Sequence, residues 1–145
     1  MSENSDPVVR LSDGECRDRL STQSLGRLIT RVGDVVDVFP VNYVLDGDGI
    51  LFRTAPGSKL LELTVNSGVL FEVDDHTDAE AWSVIVSGRA EVLEAEADVE
   101  RAESLGLQPW IPTLKRVFVR ISAEKMTGRA FERTAEPERT GVQDY

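Results

Sequence analysis

The sequence predicts a mainly β (α+β) fold, an antiparallel barrel of six to seven strands with short flanking helices. Three observations carry this expectation. Alternating, β-branched stretches recur along the chain, separated by turn residues. Helical spacing is confined to a few brief segments. Strands and helices also do not alternate regularly, as a parallel sheet with crossover helices would require.

The elements follow in order. Residues 1–10 are read as a flexible N-terminus, 11–133 as one domain and the polar, patternless stretch 134–145 as a flexible C-terminal tail. Ser12 and Glu15 have the spacing of a capping box, in which each side chain serves a backbone donor at the other position. Leu11, Cys16 and Leu20 then give the first helix one apolar face, and it fades by residues 22–24. Residues 25–32 form a strand, Gly33 and Asp34 a turn, and residues 35–45 a longer strand interrupted by Pro40. A proline cannot donate to a sheet ladder, so Pro40 implies an edge, a bulge or a kink. Asp46-Gly-Asp-Gly49 is a hairpin turn leading to the return strand 50–54. Ala55-Pro-Gly-Ser58 breaks the sheet, and Ser58 caps a short helix over 59–65 that ends by Gly68. Strands at 69–75 and 81–93 flank a polar loop, 76–80. An acidic helix spans 94–105 with Gly106 at its end. Residues 117–121 and 127–131 supply the last two strands.

Composition limits the function. Asp and Glu number 26 against 16 Lys and Arg, a net charge of −10, which disfavours nucleic acid and anionic membrane surfaces as partners. No apolar run reaches the roughly 20 residues of a membrane span, and the N-terminus lacks a signal-peptide pattern. A cytoplasmic protein is expected. One cysteine, Cys16, cannot form an internal disulfide. One histidine, His76, cannot build a His-rich metal site, so no metal is expected.

The segment Phe52-Arg-Thr-Ala-Pro-Gly-Ser-Lys59 carries the clearest chemistry. A strand ends in polar residues, turns through Pro-Gly and opens a helix, leaving backbone N–H groups where an anion can bind. Ser58 adds a hydroxyl, and Arg53 and Lys59 add positive charge in an acidic chain. The same pattern also suits a capped helix with a surface lysine. In Phe39-Pro-Val-Asn-Tyr43 a kinked strand exposes backbone groups to a flat heterocycle, and Asn42 offers an amide; taken alone, the segment reads first as an edge-strand proline beside a buried aromatic. Trp82 opens a strand of small and branched residues, a usual core position. Trp110 lies between Pro109 and Pro112, better placed to cover a ligand or a partner subunit. His76 in its acidic loop, Cys16 in the first helix and the acidic run 91–103 read as solvated loop, core residue and solvated face.

Together these segments resemble the FMN-binding split barrels of the pyridoxamine 5′-phosphate oxidase-like family, in particular its small actinobacterial branch related to nitroimidazole-resistance reductases. The likeness rests on Glu15-Cys-Arg-Asp-Arg-Leu20, Ser24-Leu-Gly-Arg-Leu28, Phe39-Pro-Val-Asn-Tyr-Val44, Phe52-Arg-Thr-Ala-Pro-Gly-Ser-Lys-Leu60, Phe71-Glu-Val-Asp74, Trp82-Ser-Val-Ile-Val-Ser-Gly-Arg-Ala90 and Leu107-Gln-Pro-Trp110, in order across residues 11–131. The resemblance implies a homodimer with FMN in a groove between subunits. Arg53, Ser58 and Lys59 would hold the phosphate, with Thr54 near the ribityl chain. The backbone of Pro40, Val41, Asn42 and Tyr43 would edge the isoalloxazine ring, Trp82 and Ser83 would reach it from the partner subunit, and Trp110 would lie on its other face.

The implied activity is an FMN-dependent oxidoreductase or reductase acting on a small flat substrate. The Arg- and His-bearing C-terminal substrate segment of pyridoxamine phosphate oxidases is missing, which removes vitamin B6 as the expected substrate. The alternatives are an F420-dependent reductase, to whose acidic tail Arg27, Arg31 and Arg53 could contribute, and a non-catalytic flavin-binding protein. Redox chemistry resident in a flavin requires no catalytic residue visible in the sequence.

Overall fold

The computed structural model of the chain describes residues 8–64, 68–107 and 117–133. In chain order its elements are β1 (Val8–Leu11), α1 (Asp13–Leu20), β2 (Leu25–Val32), β3 (Val35–Asp46) and β4 (Gly49–Thr54). They continue with α2 (Lys59–Thr64), β5 (Gly68–His76), β6 (Glu80–Val92), α3 (Glu96–Glu103) and β7 (Val117–Glu132). All pairings are antiparallel, in the order β1-β7-β4-β3-β2-β5-β6, and a further β6–β7 pairing closes six strands into a ring with β1 attached outside it. This is the split-barrel architecture.

Local chemistry explains most boundaries. Ser12 and Glu15 form both hydrogen bonds of the capping box, at 3.1 and 2.8 Å, and Cys16 and Leu20 turn α1 onto the barrel. The β3–β4 turn passes through Gly47 at φ +62°, a left-handed conformation that favours glycine. β3 pairs with β2 over residues 35–42 but with β4 only over 43–46, so at Pro40 one side of the strand has no ladder to fill. Pro40 is therefore a local edge residue, without a bulge.

Three expectations change. The strands expected at 117–121 and 127–131 are one continuous β7 of 16 residues. Its polar middle reads as a break, yet β6 pairs along it and absorbs a register shift at Ser87/Gly88. The stretch assigned to a flexible N-terminus contributes β1, which pairs Val8 to Leu11 with Phe131 to Gly128; four residues are too few to show a period of two. Strand β5 also runs on through His76, so the loop before β6 begins at Thr77. Val65, the expected end of α2, and the tail 134–145 lie outside the described residues.

The barrel interior is packed by Leu28, Tyr43, Ile50, Phe52, Phe71, Val84, Val119 and Ile121, all 1% exposed or less. A second cluster, Leu51, Phe118, Ala102 and Leu107, lies on the outward side of β4 and β7 under α3. Strand β4 is thus buried on both faces, which its nearly unbroken burial reflects. No helix among the described residues is long and apolar enough to cross a membrane.

Candidate functional site

Strand alternation divides the segment 40–43 between two environments. Val41 and Tyr43 point into the barrel, 9% and 1% exposed. The Tyr43 hydroxyl donates to the Leu20 carbonyl at 2.6 Å, and its ring meets Phe71 edge-on at 5.1 Å. Burial pushes the phenol well above its ordinary pKa. Tyr43 is therefore an internal strut, and only its backbone lies along the segment. Pro40 and Asn42 occupy the outward face, where the Asn42 amide donates to the Ser24 carbonyl at 3.1 Å and ties β3 to the entrance of β2.

The register Tyr43↔Phe52, continued by one residue, sets Arg53 beside Asn42 on that outward face, with Phe118 directly opposite Arg53 on β7. The Arg53 guanidinium lies 4.9 Å from the Phe118 ring centroid. Its Nε is buried and has no hydrogen-bond partner. Burying an N–H donor unpaired is costly, so the position is set up for an acceptor that the described protein groups do not supply. Beyond Thr54 the chain turns through Gly57 at φ +72° into α2. The Ser58 hydroxyl lies 2.8 Å from Thr54 Oγ1 and accepts from the Leu61 N–H at 3.1 Å. Lys59 is 70% exposed, with Nζ 3.9 Å from Asp37 Oδ1. One turn thus gathers Arg53, Thr54, Ser58 and Lys59. At the start of α2 the Leu61 N–H donates to the Ser58 hydroxyl and the Glu62 N–H to the Ser58 carbonyl.

Trp82 and Ser83 fall on opposite faces of β6. Trp82 points inward, 8% exposed, with the Arg19 guanidinium 5.6 Å from its ring centroid. Arg19 is fixed there by Glu80 at 2.6 and 3.1 Å. Ser83 faces outward, paired between Asp74 and Arg129. Trp110 lies outside the described residues.

A charged cluster beside the site was not legible in the sequence. Arg27, opposite Pro40, pairs through one nitrogen with Glu72 at 2.8 Å and Asp74 at 3.1 Å. Burial, joined by the hydrogen bond and charge of Asp74, pushes the Glu72 carboxyl up to about 7 against the opposing pull of Arg27. Only the β2–β5 register brings these residues together, and no motif announces it. The same register lines up Val38, Ile29 and Leu70 as an outward apolar row, with Val36 and Ile85 nearby; Val36, Val38, Leu70 and Ile85 are 57%, 57%, 40% and 40% exposed.

The sequence profile described as pyridoxamine 5′-phosphate oxidase matches residues 12–130. An uncharacterized protein of Mycobacterium tuberculosis is 47% identical over 97 residues, 67% of this chain and 88% of that protein. A Corynebacterium glutamicum structure assigned provisionally as a pyridoxamine 5′-phosphate oxidase is 42% identical with a TM-score of 0.84, covering 92% of this chain and all 100% of its own. A FAD-binding protein of Mycobacterium smegmatis is 40% identical with a TM-score of 0.78, covering 86% and 98% of the two chains. A FAD-binding protein of Mesorhizobium loti is 26% identical with a TM-score of 0.72, covering 85% and 96%.

Proposed function

Since the chain belongs to the pyridoxamine 5′-phosphate oxidase family, we propose that it is a flavin-dependent oxidoreductase acting on a small flat substrate. The observation that carries this reading is the buried, partnerless Nε of Arg53 on the outward face of β4, beside a turn that adds Ser58 and Lys59. These groups fit a phosphate monoester or diester. Arg53 offers a fixed planar fork, Ser58 a hydroxyl held by Thr54, and Lys59 a mobile charge only loosely engaged by Asp37. When bound, a flavin supplies hydride and electron transfer. The chain's own part is to anchor the phosphate and to present the Pro40 and Asn42 backbone as a rigid edge for the heterocycle. Glu72, whose carboxyl burial pushes up to about 7 and which Arg27 engages at 2.8 Å, is a group on this face able to hold or release a proton near neutral pH.

The finer reading is FMN, whose single phosphate this turn matches. FAD is a second reading, favoured by the Mycobacterium smegmatis and Mesorhizobium loti relatives that bind it. The purified protein is expected to be yellow, and chromatography of the released chromophore separates FMN, FAD and F420. A colourless protein that takes up none of the three on reconstitution refutes the reading. A coloured protein without turnover of any acceptor or nicotinamide donor makes it a flavin carrier instead.

The site works in a homodimer. The exposed row of Val38 and Leu70 with neighbouring Val36 and Ile85 is an apolar sheet face of the kind that marks subunit contacts. Val38→Lys is expected to shift the mass measured by light scattering from dimer to monomer. A dimer unchanged by this substitution moves the interface elsewhere.

A further inference from the structure

Strand β7 is paired by β6 along one side, but its other side is covered only in part. β4 pairs with it up to Ser122, and β1 from Gly128 onward. Residues 123–127 have no strand beside them there, because the chain leaves β1 at Leu11 and turns into α1. The gap forms a cleft of about 360 Å³ whose lining includes Arg10, Lys125, Thr127 and Arg129.

The charges in this cleft are unusual for the chain. Arg10 and Arg129 are direct cross-strand partners, so their side chains share one face, and Lys125 joins that face two alternations away along β7. Like charges directly opposite one another destabilise a strand pair. No ion pair is formed by any of the three among the described residues, whereas Arg19, Arg27, Arg101 and Arg120 each rest on a carboxylate. The neighbouring carboxylate Glu124 is turned to Arg89. In a protein with 26 acidic and 16 basic side chains, the Arg10–Arg129 pair beside an unpaired length of strand calls for an external counter-charge, while Lys125 also lines a neighbouring depression with Asp13, Asp48 and Glu124.

We propose that this cleft binds a small, multiply charged oxyanion bearing phosphate or several carboxylates. Two guanidinium forks suit paired oxygens on one group, and the ammonium of Lys125 favours a ligand with more than one negative charge. The cleft is separate from the Arg53 turn. Arg53 lies opposite Phe118, and Lys125 is seven residues farther along β7, about 23 Å of extended strand. The inference does not depend on the flavin reading.

Inorganic pyrophosphate and citrate, titrated calorimetrically into the full-length protein at low salt, test it. Saturable binding of at least one is expected, and the tighter of the two assigns phosphate or carboxylate chemistry. Arg10→Gln with Arg129→Gln should weaken that binding tenfold or more. Arg129→Gln alone should raise the melting temperature of the anion-free protein, by removing the like-charge contact, and lose the anion-induced rise. Absence of saturable binding to the wild type overturns the proposal. So does wild-type affinity in the double variant.

Discussion

Arg53→Ala separates a phosphate-binding arginine from a structural one. In the folded chain the substitution removes a buried Nε without a partner and a guanidinium 4.9 Å from Phe118. Leaving a buried donor unpaired costs roughly 1–3 kcal/mol, which the alanine relieves. The lost cation–π contact gives back about 0.5–2 kcal/mol in the opposite direction. The two nearly cancel, so the flavin-free protein should change in stability by less than about 1 kcal/mol, a few degrees in melting temperature for a domain of this size. A charge-assisted hydrogen bond to phosphate is worth about 1.5–3 kcal/mol, so FMN affinity should fall about 10- to 150-fold. Riboflavin has no phosphate, and its affinity should stay within a factor of about two. The assay is a fluorescence titration of flavin-stripped wild type and variant with both ligands, alongside thermal melts. Equal losses for FMN and riboflavin, or a stability loss above roughly 3 kcal/mol in the stripped protein, would show that Arg53 braces β4 against β7 instead.

Other consequences are local. Tyr43→Phe removes the 2.6 Å bond to the Leu20 carbonyl and should cost about 1–2 kcal/mol in denaturant unfolding, with flavin affinity unchanged because the hydroxyl points inward. Gly88→Ala would set a Cβ 2.1 Å from the Ser122 carbonyl oxygen where β6 shifts register. Backbone cannot yield there cheaply, so a loss of roughly 3 kcal/mol or more is expected, and a variant as stable as wild type would refute the bulge packing. Glu72 titrates near its ordinary 4.5 when unfolded and at about 7 when folded, so the native state holds the proton more tightly. The stability it contributes is complete below about pH 4.5 and lost as pH rises through 7. Glu72→Gln should therefore gain in melting temperature over wild type between pH 5 and 8, and curves that stay parallel would contradict the burial of that carboxyl.

Where a residue's role is local, the sequence displays it. The Ser12–Glu15 box, the Gly47 turn, the β2–β3 hairpin and the break at Ala55 to Ser58 depend on a handful of neighbouring residues, and all form where the pattern places them. The Arg53–Lys59 turn belongs to this class, since its members lie within seven residues of one another. Roles that depend on which face a strand shows to the barrel were harder to read. Tyr43 and Trp82 lie in segments that resemble ligand contacts, while their residue patterns by themselves suit core positions, and both side chains are core. Their neighbours Asn42 and Ser83 face outward, and one step of alternation separates the two fates.

The sequence by itself determined the class of fold, the family and the local gathering of Arg53, Ser58 and Lys59 in an acidic chain, because turns, caps and alternation are encoded within short windows. The tertiary structure decided everything that rests on register. It set Arg27 against Glu72 and Asp74, left the Arg53 Nε without a partner, joined two expected strands into β7, and drew β1 alongside so that Arg10 confronts Arg129. The physical reason is that cross-strand neighbours lie tens of residues apart along the chain. Which pairs meet is fixed only when the ring closes and buries one face of every strand.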